Sequence, residues 1–219
     1  SVIVGQNLSA NEIAGVSDAV PMIFLVLTFT SGLTAGFSTL LSDAVGAGDE
    51  KRMRQSFFIQ IVLSAILTVI LTIIAYFLID FMLSVLKITP SETDTNMQEL
   101  YEAARTYMAI LFIYGIFSQM FYILVTAVLR GIGDSFLPFL FLVLSTILNV
   151  FLDLLFIIPF QWGVAGSAYA TVISQFLSAL GAFIYAFARY PKLRIHKEDM
   201  KVDGKFVVKH LWFGLPLGF

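Results

Sequence analysis

The sequence predicts an all-α polytopic membrane protein, a helical bundle with five complete crossings, and three observations carry that prediction. Apolar residues make up 58% of the chain, the mean hydropathy is +0.90, and the charged residues gather between long apolar runs instead of among them. Only 13% of the residues are Asp, Glu, Lys or Arg, where an ordinary soluble domain carries about 25%. A soluble core built from 219 residues could not hide that much apolar surface.

Taken in chain order, residues 19–42, 55–79, 107–129, 135–152 and 154–188 contain no charged side chain. A helix crosses the hydrocarbon in roughly 20 residues at 1.5 Å rise, and the first four runs have that length. The fourth and fifth are parted only by Asp153, and together they read as two crossings that meet at Pro159-Phe160-Gln161-Trp162-Gly163. Connectors then fall at 45–55, 86–106, 130–135, 159–163 and 189–209. Pro21 and Pro138 lie within apolar runs, where proline can kink a helix.

Charge sets the orientation, because Lys and Arg near helix ends favour the cytoplasmic side. One side receives Lys51, Arg52, Arg54, Arg130, Arg189, Lys192, Arg194, Lys197, Lys201, Lys205 and Lys209, and the other only Lys87 and Arg105. The first side is therefore cytoplasmic and the chain begins outside, with acidic Glu92, Asp94, Glu99 and Glu102 facing outward. The long polar stretch 189–209 reads as a solvated linker between two helical bundles. Its alternative is an amphipathic helix on the anionic inner leaflet, since Lys201, Lys205 and Lys209 recur at helical spacing. The chain opens without a methionine or a basic leader, and residues 211–219 look like the opening of another apolar segment, so a fragment cut at both ends is the expectation.

Two cytoplasmic turns resemble one another, Gly46-Ala47-Gly48-Asp49 and Gly131-Ile132-Gly133-Asp134. Glycine permits a left-handed helix end and Asp before a new apolar run is an N-cap signal. Their recurrence at the ends of alternate helices hints at an internal repeat, a common transporter feature.

Asp153 is the outstanding candidate for chemistry. A carboxylate within an apolar helix costs about 2.5–3.5 kcal/mol on insertion scales, so such groups usually face the bundle interior and mark ion or proton paths. Asn149 lies four residues earlier and so on the same helical face. Oxygen donors of this kind suit a hard cation such as Na⁺, and a desolvated carboxyl can equally bind a proton. The alternative is that Asp153, six residues before Pro159, reaches water at the outer helix end. The next helix adds Ser167, Tyr169, Thr171, Ser174, Gln175 and Ser178, with Thr171 and Gln175 on one face. Hydroxylated and small residues in membrane helices serve packing as well as ligation, and partnership with Asp153 is what would distinguish Thr171. Tyr169, Ser174 and Gln175 are further site-lining candidates. Phe24, Phe29, Phe37, Met108, Tyr114, Phe117, Met120, Phe121 and Tyr122 could include the lining of a cavity for flat lipophilic cations.

Other chemistries are disfavoured. No glycine loop ending in Gly-Lys-Ser/Thr is present, the Gly-x-Gly-Asp turns follow no strand, and no Ser/His/Asp constellation is apparent. There is no cysteine, and His196 and His210 are the two histidines, both in or beside the last connector. A disulfide framework, a thiolate or histidine metal centre and an enzyme are therefore poor readings, and nothing calls for nucleic acid.

Taken together, Val4-Gly5, the two Gly-x-Gly-Asp turns, Ile147-Leu148-Asn149 with Asp153, the stretch GVAGSAYATVISQ from Gly163 to Gln175, and Gly214-Leu215-Pro216 resemble the multidrug and toxic compound extrusion (MATE) family of antiporters. The resemblance implies one six-helix lobe of a twelve-helix fold: residues 1–190 as the first transmembrane lobe without most of its first helix, 191–210 as the cytoplasmic inter-lobe linker and 211–219 as the start of the seventh helix. In archaeal and bacterial members an Asn and an Asp of the fifth helix and a Thr of the sixth help form a Na⁺ or H⁺ site, and the matching positions here are Asn149, Asp153 and Thr171. An Asp of the first helix that joins this site would, by spacing, fall just before Ser1. The activity implied is efflux of small lipophilic cations in exchange for Na⁺ or H⁺ by alternating access. It would run without another cofactor, in the lipid bilayer of a prokaryotic plasma membrane, with a second six-helix lobe as partner. The alternatives are a flippase of lipid-linked oligosaccharides or peptidoglycan precursors, which would be expected to hold arginines inside the bundle for a pyrophosphate, and a non-transporting scaffold or sensor.

Overall fold

A computed structural model of the chain describes residues 8–218, with side chains described up to Gly214; Val4-Gly5 and the side chains of Leu215 and Pro216 lie outside that range. The described residues form helices and turns and no strand. In chain order these are α1 (Ala10–Phe37), α2 (Thr39–Gly46), α3 (Glu50–Phe77), α4 (Ile79–Val85), α5 (Thr95–Ile110), one π-helical turn (Leu111–Gly115), α6 (Ile116–Gly131), α7 (Phe136–Ile157), α8 (Gly163–Arg189) and α9 (Gly204–Gly218). Among the described residues, five spans are long and apolar enough to cross a membrane: Ala10–Gly46, Glu50–Phe77, Thr95–Gly131, Phe136–Ile157 and Gly163–Arg189. Large apolar side chains such as Phe77, at 77% exposure, and Phe24, at 69%, point outward along these spans. Water would not tolerate so continuous an apolar surface, and hydrocarbon does; this is a multi-pass membrane protein.

Helix boundaries follow local chemistry. Ser9 opens α1 with a capping box: its hydroxyl accepts the Glu12 N–H at 3.1 Å and its own N–H donates to the Glu12 carboxylate at 2.8 Å. The two Gly-x-Gly-Asp turns have the same backbone. Gly48 and Gly133 take φ of +70° and +91°. The Asp49 N–H reaches back to the Ala44 carbonyl at 3.0 Å and the Asp134 N–H to the Leu129 carbonyl at 2.9 Å, the six-to-one bond that closes a helix behind a left-handed residue. Each Asp then starts the next helix, Asp49 by accepting the Arg52 N–H at 2.9 Å and Asp134 the Leu137 N–H at 3.0 Å. Pro138 sits in the first turn of α7, where its missing N–H would have had no helical partner, so it need not kink the helix. Pro21 lies in the interior of α1.

Two connectors differ from the sequence expectation. The outer connector 86–106 is not loop throughout, because α5 starts at Thr95 and runs through the π turn into α6. Asp94 caps it by accepting the N–H groups of Asn96 and Met97, and Asn11 of α1 donates to Asn96 at 3.0 Å and Glu99 at 2.9 Å. Polarity marked this segment as outside the bilayer, and polar helix–helix bonds keep it ordered there. Close approach helps: a Cβ on Gly15 would collide with the Leu100 carbonyl oxygen, so glycine is what brings α1 onto α5.

The last connector is docked and not freely solvated. Leu193 is 1% exposed in the core cluster that also holds Met53, Phe57 and Leu129, and Asp199 is buried against Arg54 at 2.8 Å. α9 begins at Gly204, seven residues before the expected start at Leu211. Lys205 and Lys209 lie on α9 but Lys201 precedes it, so the three lysines share no helix. The outer half of the core collects Ala19, Ile23, Met108, Phe112, Ile116 and Ala168, and the candidate site lies beside it where α5, α7 and α8 meet.

Candidate functional site

Three helices bring the site together. α7 carries Asn149 and Asp153 one turn apart on its buried strip, α8 carries Thr171, and α5 carries Tyr107. α7 turns through residues 158–162 into α8, with Gln161 and Gly163 at φ of +53° and +55°. The two helices therefore run antiparallel, and Asn149 faces Thr171 across them, 22 residues on. Asp153 is 3% exposed, so the reading in which it reaches water at the helix end does not hold. Burial in a membrane helix makes the position costly for a carboxylate unless protein groups or a bound cation meet it.

Asn149 donates from Nδ2 to the Thr171 Oγ1 at 3.3 Å, and the Thr171 hydroxyl donates to the Ser167 carbonyl at 3.0 Å. The amide thus turns its carbonyl oxygen away from Thr171, where it can serve as a donor oxygen to a cation. Tyr107, half-buried on α5, lies beside Thr171 and within the electrostatic reach of Asp153. It belongs to the site and sequence reasoning missed it, because Tyr107 stands at the edge of an apolar run, where tyrosine is common as an interface anchor. The one usable signal was its place at the outer end of its run, the end where Asp153 and Thr171 also fall.

The remaining candidates divide. Gln175, one turn below Thr171, donates from Nε2 to the Gln119 Oε1 of α6, and Gln119 donates onward to the Ser31 hydroxyl of α1 at 3.2 Å. This amide bridge ties α8 to α1 through α6, one turn along α8 from Thr171. Ser174 donates its hydroxyl to the Thr171 carbonyl at 3.0 Å, a backbone bond that leaves it outside the donor set. Tyr169 sets its ring tilted to Tyr114 and edge-on to Trp162, each 6.2 Å away between centroids, which makes it part of an aromatic group. Among the candidate aromatics, Tyr114 and Phe117 line a lateral cavity of about 540 Å³ with Phe176 and the hydroxyls of Thr68, Thr72 and Ser118. That cavity opens between α3, α6 and α8.

The same arrangement of helices occurs in known proteins. The MatE family model matches residues 1–155. The chain is 31% identical over 228 aligned positions to the "Probable multidrug resistance protein YoeA" of Bacillus subtilis (strain 168), covering 97% of this chain and 46% of that protein. Among solved structures it is similar to an inward-facing conformation of a multidrug resistance MATE family transporter of the MOP superfamily, with a TM-score of 0.85, 27% identity, and coverage of 99% of this chain and 47% of that one. An outward-facing conformation of such a transporter matches with a TM-score of 0.84 at 28% identity, over 99% of this chain and 46% of that one. The chain spans about half the length of the curated relatives it matches.

Proposed function

The chain belongs to the MatE family, and from that premise we propose that it forms the cation-binding half of a secondary efflux transporter that exchanges Na⁺ or H⁺ for amphiphilic organic cations. The observation that carries the proposal is Asp153: an acidic side chain 3% exposed inside a membrane bundle, one turn from an Asn149–Thr171 hydrogen bond of 3.3 Å. One carboxylate and neutral oxygens from an amide, a hydroxyl and a phenol make a hard, singly negative donor set, suited to a monovalent cation or a proton.

The work available is set by the membrane. Inward movement of one charge is worth about 2.3 kcal/mol per 100 mV. Ion binding at Asp153 neutralises the carboxylate and draws α7 and α8 together through Asn149 and Thr171. An organic cation held by the same carboxylate is displaced when the ion arrives, so exchange follows from competition for one negative charge. The near-equal likeness to inward- and outward-facing relatives supports a mechanism in which this half keeps its internal packing while it changes its relation to a second, similar lobe. The protein would then work in the plasma membrane of a prokaryotic cell.

The test is flux in vesicles containing the full-length protein, with a fluorescent lipophilic cation as cargo and an imposed Na⁺ or pH gradient. Asp153→Asn keeps size and hydrogen bonding but removes the charge, and it should abolish ion-driven accumulation while the protein stays folded. Coupled flux equal to that of the parent would overturn the proposal.

A further inference from the structure

The cytoplasmic side holds a second buried titratable group that the transport reading does not use. Three consecutive residues near the start of α3 each hold a different point of the segment after α8. Arg54 pairs with Asp199 at 2.8 Å, Gln55 Nε2 donates to the Lys201 carbonyl at 3.2 Å, and Ser56 Oγ lies 2.7 Å from His210 Nε2. His210 and Ser56 are both 0% exposed.

The protons in this cluster can be assigned by elimination. His210 Nδ1 lies 2.9 Å from the Phe206 carbonyl, which can only accept, so Nδ1 carries the hydrogen. In a neutral ring Nε2 is then an acceptor, and the Ser56 hydroxyl donates to it. Gln60, also 0% exposed, donates from Nε2 to Ser56 Oγ at 3.4 Å, and Ser38 donates to Gln60 Oε1 at 3.1 Å. With a neutral imidazole the chain of donors runs Ser38 to Gln60 to Ser56 to His210 to Phe206. A proton added at Nε2 would take away the acceptor of the Ser56 hydrogen and force that hydroxyl to turn. It would also place a cation in a fully enclosed site.

Nearby charge does not relieve that. On its own helix the neighbour is Lys209. From α2 and the turn after it come Asp43 and Asp49, and from α3 Arg52, all around a separate cytoplasmic hollow that Phe206 and Lys209 also line. The Arg54–Asp199 pair neutralises itself. α1 presents Gly36 and Phe37 to α9, with no ionisable group. Of the described residues, Ser56 and Phe206 are the hydrogen-bond partners of the ring.

We infer that His210 is a proton-binding site separate from the Asp153 set, built into a clamp that holds α9 against α1 and α3, and that a proton arriving from the cytoplasm releases the clamp. The contact it controls is all-or-none. A Cβ on Gly36 would lie 2.6 Å from the Gly214 Cα, and one on Gly214 would collide with the Phe37 ring, so α1 and α9 touch backbone to backbone, and turning the imidazole out of its pocket separates them. Because the clamped form accepts only the neutral ring, the ratio of clamped to released molecules is constant above the ordinary histidine range near 6.5 and falls about tenfold per pH unit below it.

The sequence has no cysteine, so labels can be placed cleanly. Lys51→Cys on α3 and Val208→Cys on α9, both exposed, would carry spin labels in the full-length protein in lipid vesicles, with distances measured from pH 8 to pH 5. The expected result is one short distance at pH 8 whose ratio to the released population falls about tenfold per unit below about pH 6.5. His210→Gln should stay clamped throughout, and Asp153→Asn should keep the parental pH response, which separates failure of this inference from failure of the coupling-site reading. Ser56→Ala removes the hydrogen bond that stabilises the clamped form around the neutral ring, so fewer protons are needed to release it and the midpoint should move to higher pH. A distance indifferent to pH, a response that survives in His210→Gln, or an unmoved midpoint in Ser56→Ala would each overturn the clamp.

Discussion

Replacing Asp199 with alanine should undock the strap after α8, residues 191–203, and leave the bundle folded. The Asp199 side chain is 3% exposed, accepts the Arg54 Nε–H at 2.8 Å and the His196 backbone N–H at 2.9 Å, and lies 3.3 Å from His196 Nδ1. Removing one partner of a buried ion pair costs about 3–5 kcal/mol. Arg54 is 18% exposed and has Glu50 at 3.8 Å as a second partner, so its charge is only partly stranded, and about 2–3 kcal/mol is the better figure. At 1.4 kcal/mol per factor of ten, the strap should open roughly 30- to 150-fold more often. Amide hydrogen exchange reads this directly, with peptides across 191–203 measured against α6 peptides as an internal reference. Strap protection within threefold of the parent would refute the reasoning, as would equal loosening of α6. The pH sign can be worked out as well. Burial alone would raise the Asp199 carboxyl, but the His196 backbone N–H and the Arg54 guanidinium outweigh it and hold the group below its ordinary value. A depressed carboxyl stabilises the docked state above the unfolded value of about 3.9 and loses that contribution as pH falls through the lower docked value. This pair should therefore fail only below about pH 4, well under the range in which the His210 clamp responds.

Two further outcomes test the packing. Gln119→Leu breaks the bridge between Gln175 and Ser31 and should cost about 1 kcal/mol, the usual scale of an interhelical hydrogen bond in a membrane, read as a lowered unfolding midpoint in detergent. Gly15→Val should cost about 1–3 kcal/mol by overpacking, since even its Cβ would collide with the Leu100 carbonyl; thermal melts unchanged from the parent would mean that α1 and α5 separate more easily than their polar contacts with Asn11 suggest.

Much of the candidate site could be proposed from the sequence, for identifiable reasons. Asp153 announced itself by splitting an apolar run, and Asn149 followed from helical spacing. Thr171 was named with them, while Tyr107 was not, because an aromatic residue near a membrane interface has an ordinary explanation. Tyr169 and Ser174 looked equivalent to Gln175 along the helix, yet one packs against aromatic rings, one bonds to backbone, and only Gln175 bridges to another helix through its side chain. His210 looked like part of a charged connector, and its burial depends on a helix that starts at Gly204, within what read as linker.

The chain's five apolar spans and its two glycine–aspartate turns were legible in the sequence alone. Hydrocarbon thickness, flanking charge and backbone φ act over a few residues or along one helix, so their signatures are local. What the tertiary structure decided was which polar groups meet: Asn149 with Thr171, Gln175 with Gln119, Asp199 with Arg54, and His210 with Ser56. Those partners come from different segments, and a rotation of one helix by a single residue, about 100°, would exchange the partners that helix holds while leaving its hydrophobic run unchanged.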